Sequence, residues 1–275
     1  MSENNPLKQY FRRPSIYFKL PSGGAYYKSD VVDIPPNGEL PVYPMTAIDE
    51  MTVRTPDGLF NGAAVVELVK SCVPNIIDPW KLNNVDLDAV IVAIKAASGD
   101  GSMTIGSECP SCKEQNEYEI NLLPILAKSV FVDYTDTLKV RELEIKFRPL
   151  IYAETNKNGL DQFKIQKTLM TLNDYEDNDE KSKLMSDTLL QLNDLITHIV
   201  ADTIDYIQTP EVRVTEKAFI IEFLNNCDRE SGTLIREKSV ELRSKNELDP
   251  VGIKCPSCQH EYKQKIELNV TDFFE

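Results

Sequence analysis

The sequence predicts an α+β fold: a mixed N-terminal domain that holds one half of a split four-cysteine ribbon, a mainly helical insertion, and a C-terminal return that holds the other half. Three observations predict it. Two C-P-S-C turns, Cys109 to Cys112 and Cys255 to Cys258, each lead into strand-like runs, EYEINL and YKQKIEL. Residues 153–246 carry three or four helical patterns. The first hundred residues mix short strand-like runs, punctuated by proline, with amphipathic helical ones. The predicted divisions are 1–150, 151–247 and 248–275.

Taken in order, residues 1–44 are crowded with Pro6, Pro14, Pro21, Pro35, Pro36, Pro41 and Pro44, and the runs SIYFKL and ELPVY between them read as edge strands. Thr46-x-x-Asp49 is a capping pattern for a short helix through Ile48 and Met51. The next helix is expected to start at Thr55-Pro56, since proline is tolerated at the first helical position, with Leu59, Ala63, Val66 and Val69 at helical spacing. Asp86 is placed to cap a third, whose Leu87, Val90, Ile91 and Ile94 recur at i, i+3, i+4 and i+7. After the first cysteine turn, Leu138, Val140, Leu143, Ile145 and Phe147 alternate as one or two strands do. The clearest helix of the insertion is read from Glu180 to Ile207, with Leu184, Thr188, Leu192, Leu195, Ile199 and Ile204 near one face. The acidic run 173–182 reads as a solvated loop or helix start.

Shifted by 146 positions, Gly106-x-x-Cys109-Pro-Ser-Cys112 falls on Gly252-x-x-Cys255-Pro-Ser-Cys258, and Ile120-x-Leu122 on Ile266-x-Leu268. The chain thus contains one hairpin twice: a strand, a tight turn with two thiols, and a returning strand. Two thiols from each turn make a four-cysteine set, which is the closed, tetrahedral donor set of a structural zinc ion. Catalytic zinc keeps a coordination position for water, and a four-thiol site has none. One Zn2+ held by Cys109, Cys112, Cys255 and Cys258 is the expected cofactor, with two separate sites, redox dithiols or no metal as the competing readings. A redox C-x-x-C opens a helix, whereas these lead into strands. The turns are 142 residues apart, so the metal is expected to pin together the two ends of the insertion. His260 lies close enough in sequence to substitute as a ligand. Cys72 and Cys227 fall in apolar helical runs and read as core thiols.

Composition excludes several classes. At 41% hydrophobic and 27% charged the chain is ordinary for a globular protein, and its richest apolar stretch, Ala89 to Ala97, is interrupted by Lys95, so no membrane span is expected. No apolar stretch follows Arg12 and Arg13, so no secretory leader is expected and the thiols are expected to stay reduced. A net charge of −14 opposes a phosphate backbone, which argues against a zinc-ribbon nucleic-acid binder. Neither His198 nor His260 stands in a nucleophile or metal-hydrolase motif, and neither Gly23-Gly24 nor Gly99-x-Gly101 is a phosphate cradle. His198 reads as a partly buried structural residue. No catalytic residue is predicted, and a metalloenzyme would need a vacant zinc position.

One stretch, Pro14 to Cys112, has a distinctive wording: IYFKLPSGGAYY, PMTAIDEMTVRTPDGLFNG, CVPNIIDPWKLNNVDLDAVIVAIKAAS, then CPSC. It resembles the baseplate hub family of T4-like contractile-tailed bacteriophages, over roughly the first 150 residues. The resemblance implies a nonenzymatic tail protein, assembled in the host cytoplasm, that is either a hub component of the virion or an assembly factor absent from it. Its implied partners are other baseplate and tail proteins.

Overall fold

Prolines on both flanks hold the first two strands to three residues each. In the computed structural model, which describes residues 6–55, 62–99, 101–128, 131–171, 178–245 and 250–265, β1 (Ile16–Phe18) pairs antiparallel with β2 (Leu40–Val42), Ile16 opposite Val42. Phe18, Leu40 and Val42 point inward and are buried, while Tyr17 on the opposite pleat is exposed. Helix α1 (Ala47–Val53) starts at the predicted cap: the Thr46 hydroxyl accepts the Asp49 N–H at 3.3 Å, and the Asp49 carboxylate accepts the Thr46 N–H at 2.7 Å. Arg12 ties this cap to its surroundings, donating to Asp49 at 3.1 Å, the Pro44 carbonyl at 2.6 Å and the Ser71 carbonyl at 2.8 Å.

Helix α2 (Ala63–Cys72) begins after Gly62, whose φ of 79° is in the left-handed region that suits glycine. Of the start expected at Thr55-Pro56, Pro56 and Leu59 lie outside the described residues, and Thr55 follows the end of α1, its hydroxyl donating to the Met51 carbonyl at 3.2 Å. Helix α3 (Asn84–Ser98) is covered on all sides, by α2, β1, β2 and the later α4 (Leu123–Lys128). Its cap is Asn83, not Asp86: the Asn83 side chain accepts the Asp86 N–H at 2.9 Å. Asp86 is fully buried and serves the preceding loop, accepting from the Ser22 N–H at 2.9 Å, Tyr27 Oη at 2.6 Å and the Asn83 amide at 2.8 Å. A capping position and a loop anchor look alike in sequence. The loop that supplies Ser22 and Tyr27 lies some sixty residues away, so only the folded chain separates the two roles.

Between α3 and α4 stands the first cysteine hairpin, β3 (Ser102–Glu108) with β4 (Gln115–Asn121), seven residue pairs from Ser102 opposite Asn121 to Glu108 opposite Gln115. These elements belong to one compact unit, Met1–Phe131 with Leu248–Glu275.

The other unit is Val132–Glu247. It is not helices alone. The expected alternation at 138–147 is a hairpin, β5 (Thr137–Val140) and β6 (Leu143–Phe147), in an antiparallel sheet of order β5-β6-β7-β8. Around it stand α5 (Tyr152–Thr171), α6 (Asn178–Asp202), α7 (Lys217–Asn226) and α8 (Arg229–Ser244), while β7 is Ile204–Gln208 and β8 is Arg213–Val214. The helix read as continuing to Ile207 therefore ends at Asp202. Thr203 breaks it, with its hydroxyl donating back to the Val200 carbonyl at 2.7 Å, and Ile204 and Ile207 become buried residues of a strand that pairs with β6. Residues 204–208 are consistent with either period, and the edge offered by β6 decides between them. Of the acidic run, residues 173–177 lie outside the described residues, and the rest opens α6.

Candidate metal centre

The second cysteine hairpin, β9 (Val251–Lys254) with β10 (Glu261–Gln264), lies in the first unit beside β3 and β4. The repeat extends to the turn backbone. Cys109 N–H donates to the Glu114 carbonyl at 3.0 Å and Lys113 N–H to the Cys109 carbonyl at 2.9 Å; Cys255 N–H donates to the His260 carbonyl and Gln259 N–H to the Cys255 carbonyl, both at 2.9 Å. Lys113 and Gln259, 146 positions apart, take matching left-handed conformations with φ of 64° and 62°. That conformation costs roughly 1 kcal/mol for a residue with a Cβ, and both turns adopt it at the same position. The pair Ile266 and Leu268, which extends the repeat in sequence, lies outside the described residues.

The two turns bring their four sulfurs together. Cys109 Sγ lies 3.6 Å from Cys258 Sγ, Cys112 Sγ lies 3.6 Å from Cys255 Sγ, and all four fall within 4.8 Å of one another. Metal–sulfur bonds of about 2.3 Å in a tetrahedron put the sulfurs roughly 3.8 Å apart, so the donor set fits a single tetrahedral ion. Each turn contributes one buried cysteine, Cys109 or Cys255, and one exposed, Cys112 or Cys258. Among the described residues no other group of three or more His, Cys, Asp or Glu converges in this way.

Electrostatics differ between the thiols. The Cys258 N–H donates to the Cys255 sulfur and outweighs the burial that opposes charge. With further donation from the Ser257 N–H and from the Cys112 and Cys258 thiols, Cys255 is drawn down to about 6. The Glu114 N–H lowers the Cys112 thiol, but desolvation and the neighbouring Cys258, Cys255 and Cys109 sulfurs push it up to about 12. Four adjacent sulfurs cannot all ionise unaided, and a divalent cation among them removes that repulsion. Each C-x-x-C lies in a strand-to-strand turn, without the helix N-terminus that lowers thiol pKa in redox motifs.

A polar seam behind the sulfurs joins the hairpins. Ser107 Oγ donates to Gln264 Oε1 at 2.6 Å and meets Tyr262 Oη at 3.0 Å, Tyr262 Oη lies 3.4 Å from Tyr118 Oη, and Asn116 Nδ2 donates to Cys255 Sγ at 3.7 Å. Sequence reading missed these residues. Alternation counted outward from the cysteines finds the right face, since Ser107 is two residues before Cys109. The repeat hides them, because Ser107 and Tyr118 align with Ile253 and Gln264.

Other candidates stand apart from the cluster. His260 is exposed, stacks on Tyr262 with ring centroids 6.0 Å apart, and is not among the converging ligands. His198 is exposed rather than partly buried, because its stretch of α6 turns that side away from the neighbouring helices. Cys72 is buried as expected, whereas Cys227 is only half-buried, at the C-terminal cap of α7.

The family described as T4 bacteriophage base plate protein matches residues 15–275, nearly the whole chain, and so extends past the stretch whose wording is distinctive into the insertion and the second cysteine turn. No curated protein and no solved structure matches. Among the described residues no helix is long and apolar enough to cross a membrane.

Proposed function

The chain belongs to the T4 bacteriophage base plate protein family, and from that premise we propose that it is a nonenzymatic component or assembly factor of the baseplate hub. It binds other baseplate and tail proteins through a scaffold clasped by one structural Zn2+ on Cys109, Cys112, Cys255 and Cys258. The observation that carries this reading is that the family match covers residues 15–275, which include both cysteine turns and everything between them. The four converging sulfurs support zinc, because a closed four-thiolate tetrahedron leaves no position for substrate or water. The charge of −14 supports a protein partner over nucleic acid.

Two measurements test the reading. Metal analysis of the purified chain is expected to give one zinc per molecule, and iron or no metal overturns the clasp. Quantitative mass spectrometry of purified infectious particles, with electron microscopy of tails from a phage lacking the gene, tests the hub role. A stoichiometric amount in the particle identifies a structural subunit, and absence from the particle with hubless baseplates in the deletion identifies an assembly factor. Normal baseplates in the deletion sink both.

A further inference from the structure

The two hairpins repeat one motif, but their outward positions carry opposite charge. Under the 146-residue shift Glu108, Glu117 and Glu119 fall on Lys254, Lys263 and Lys265, and all six residues are exposed. Side chains alternate along a strand. The inner pleats hold Ser107, Tyr118 and Tyr262, through which the hairpins meet, so the pleats that carry these charges look away from that contact and from each other.

Among the described residues nothing covers the centre of either outer face. At their centres stand Gly106 and Gly252, and a Cβ added at either meets nothing within 4 Å. Glu108 faces Lys113 at 3.4 Å and Lys254 faces Glu261 at 3.8 Å, while Glu117, Glu119 and Lys263 have no ion pair among the described residues.

We propose that the acidic outer face of β3–β4 docks on the basic outer face of β9–β10 in a second copy of this chain. The flat glycine centres let the two pleated surfaces approach, and the surrounding carboxylates and ammonium groups set orientation. Because the two faces differ and point apart, each copy uses one for each neighbour. The contact is therefore head-to-tail, and it closes into a ring or extends as a filament according to the rotation between copies. Faces of seven and four residue pairs are small against the roughly 800 Å² per partner of a stable interface. The association is accordingly weak, salt-sensitive and favoured by high local concentration. It rests on the two hairpin faces and goes beyond the hub reading, so a chain found absent from particles can still associate in this way.

Sedimentation velocity of the full-length, zinc-loaded chain tests it. At about 0.01 M ionic strength, where screening extends over about 30 Å, concentration-dependent association is expected; at about 1 M, where it extends over about 3 Å, monomer is expected. Reversing one face, Glu117→Lys with Glu119→Lys or Lys263→Glu with Lys265→Glu, is expected to weaken association about tenfold or more in low salt. Mixing the two reversed proteins is expected to restore it, since one then has two basic faces and the other two acidic. Zinc content and melting temperature report whether the ribbon is intact. Should a reversal cost metal, the neutral pair Glu117→Gln with Glu119→Gln gives the same reading. Wild type that stays monomeric in low salt, association that survives about 1 M salt, a reversed protein that associates like wild type, or a mixture that fails to associate each overturns the proposal.

Discussion

Within one compact unit, the α2–α3 core and the cysteine ribbon reach order by different physical means. Around α3, Leu68, Val69, Ile76, Leu82, Ala93 and Ile94 are essentially inaccessible to water, so burial of apolar surface holds the elements together. At the cysteine end of the ribbon the buried residues are Ser107, Cys109 and Cys255, set among exposed polar side chains. A hairpin of this kind is marginal in water by itself. What the hairpins share instead is a polar seam and four sulfurs. The same chain thus brings distant segments together in two ways, with a nonspecific force spread over many contacts and with a few directional bonds.

Removal of the proposed zinc is expected to have the largest effect. A structural zinc site of this type carries an apparent binding free energy on the order of 10 kcal/mol or more. Chelation or Cys255→Ser is therefore expected to abolish zinc binding and to erase amide-exchange protection in β3, β4, β9 and β10, while the amides of α3 keep theirs. Hydrogen exchange read by mass spectrometry checks this, and equal loss of protection in α3 shows that the two regions are one cooperative block.

The converse change is a cavity in the apolar core. Leu68 is completely buried, and Leu68→Ala is expected to cost about 2–5 kcal/mol in denaturant unfolding with zinc stoichiometry retained. Loss of zinc in that variant tells that the ribbon depends on the core beside it.

The smallest expected effect sits at the Asp49 cap. Burial alone raises this carboxyl, but the Thr46 N–H, the Ser71 and Thr46 hydroxyls and the Arg12 guanidinium together hold it below the usual carboxylate range. A depressed folded-state pKa gives stability that is present above the unfolded value, about 3.9, and is lost as pH falls through the folded one. Asp49→Ala is expected to cost about 0.5–2 kcal/mol near neutral pH and to flatten the acid limb of the stability curve. Parallel acid limbs in the two proteins contradict the assignment.

Much of the local structure is legible in the residues. Prolines 14, 21, 36 and 44 bound the short strands, Thr46-x-x-Asp49 makes the cap it spells, and the apolar density of residues 84–98 gives the central helix. Where reading fails, the deciding partner is remote. Asp86 looks like a cap until Ser22 and Tyr27 claim its oxygens, and Ile204 looks helical until β6 offers an edge. His198 shows the same weakness from the other side, since proximity to an apolar stripe in sequence does not say whether anything covers that side of the helix.

The chemistry of the candidate site is written in the residues alone: four cysteines in two equivalent turns, 146 positions apart, with the strands that carry them. Those features are local, and side-chain type and period encode them within a few residues. Folding adds the convergence of the four sulfurs, the seam of Asn116, Ser107, Tyr118 and Tyr262 behind them, and the opposed directions of the two charged faces. Each of those depends on contacts between segments well over a hundred residues apart, and no periodicity within either segment specifies which face meets the other.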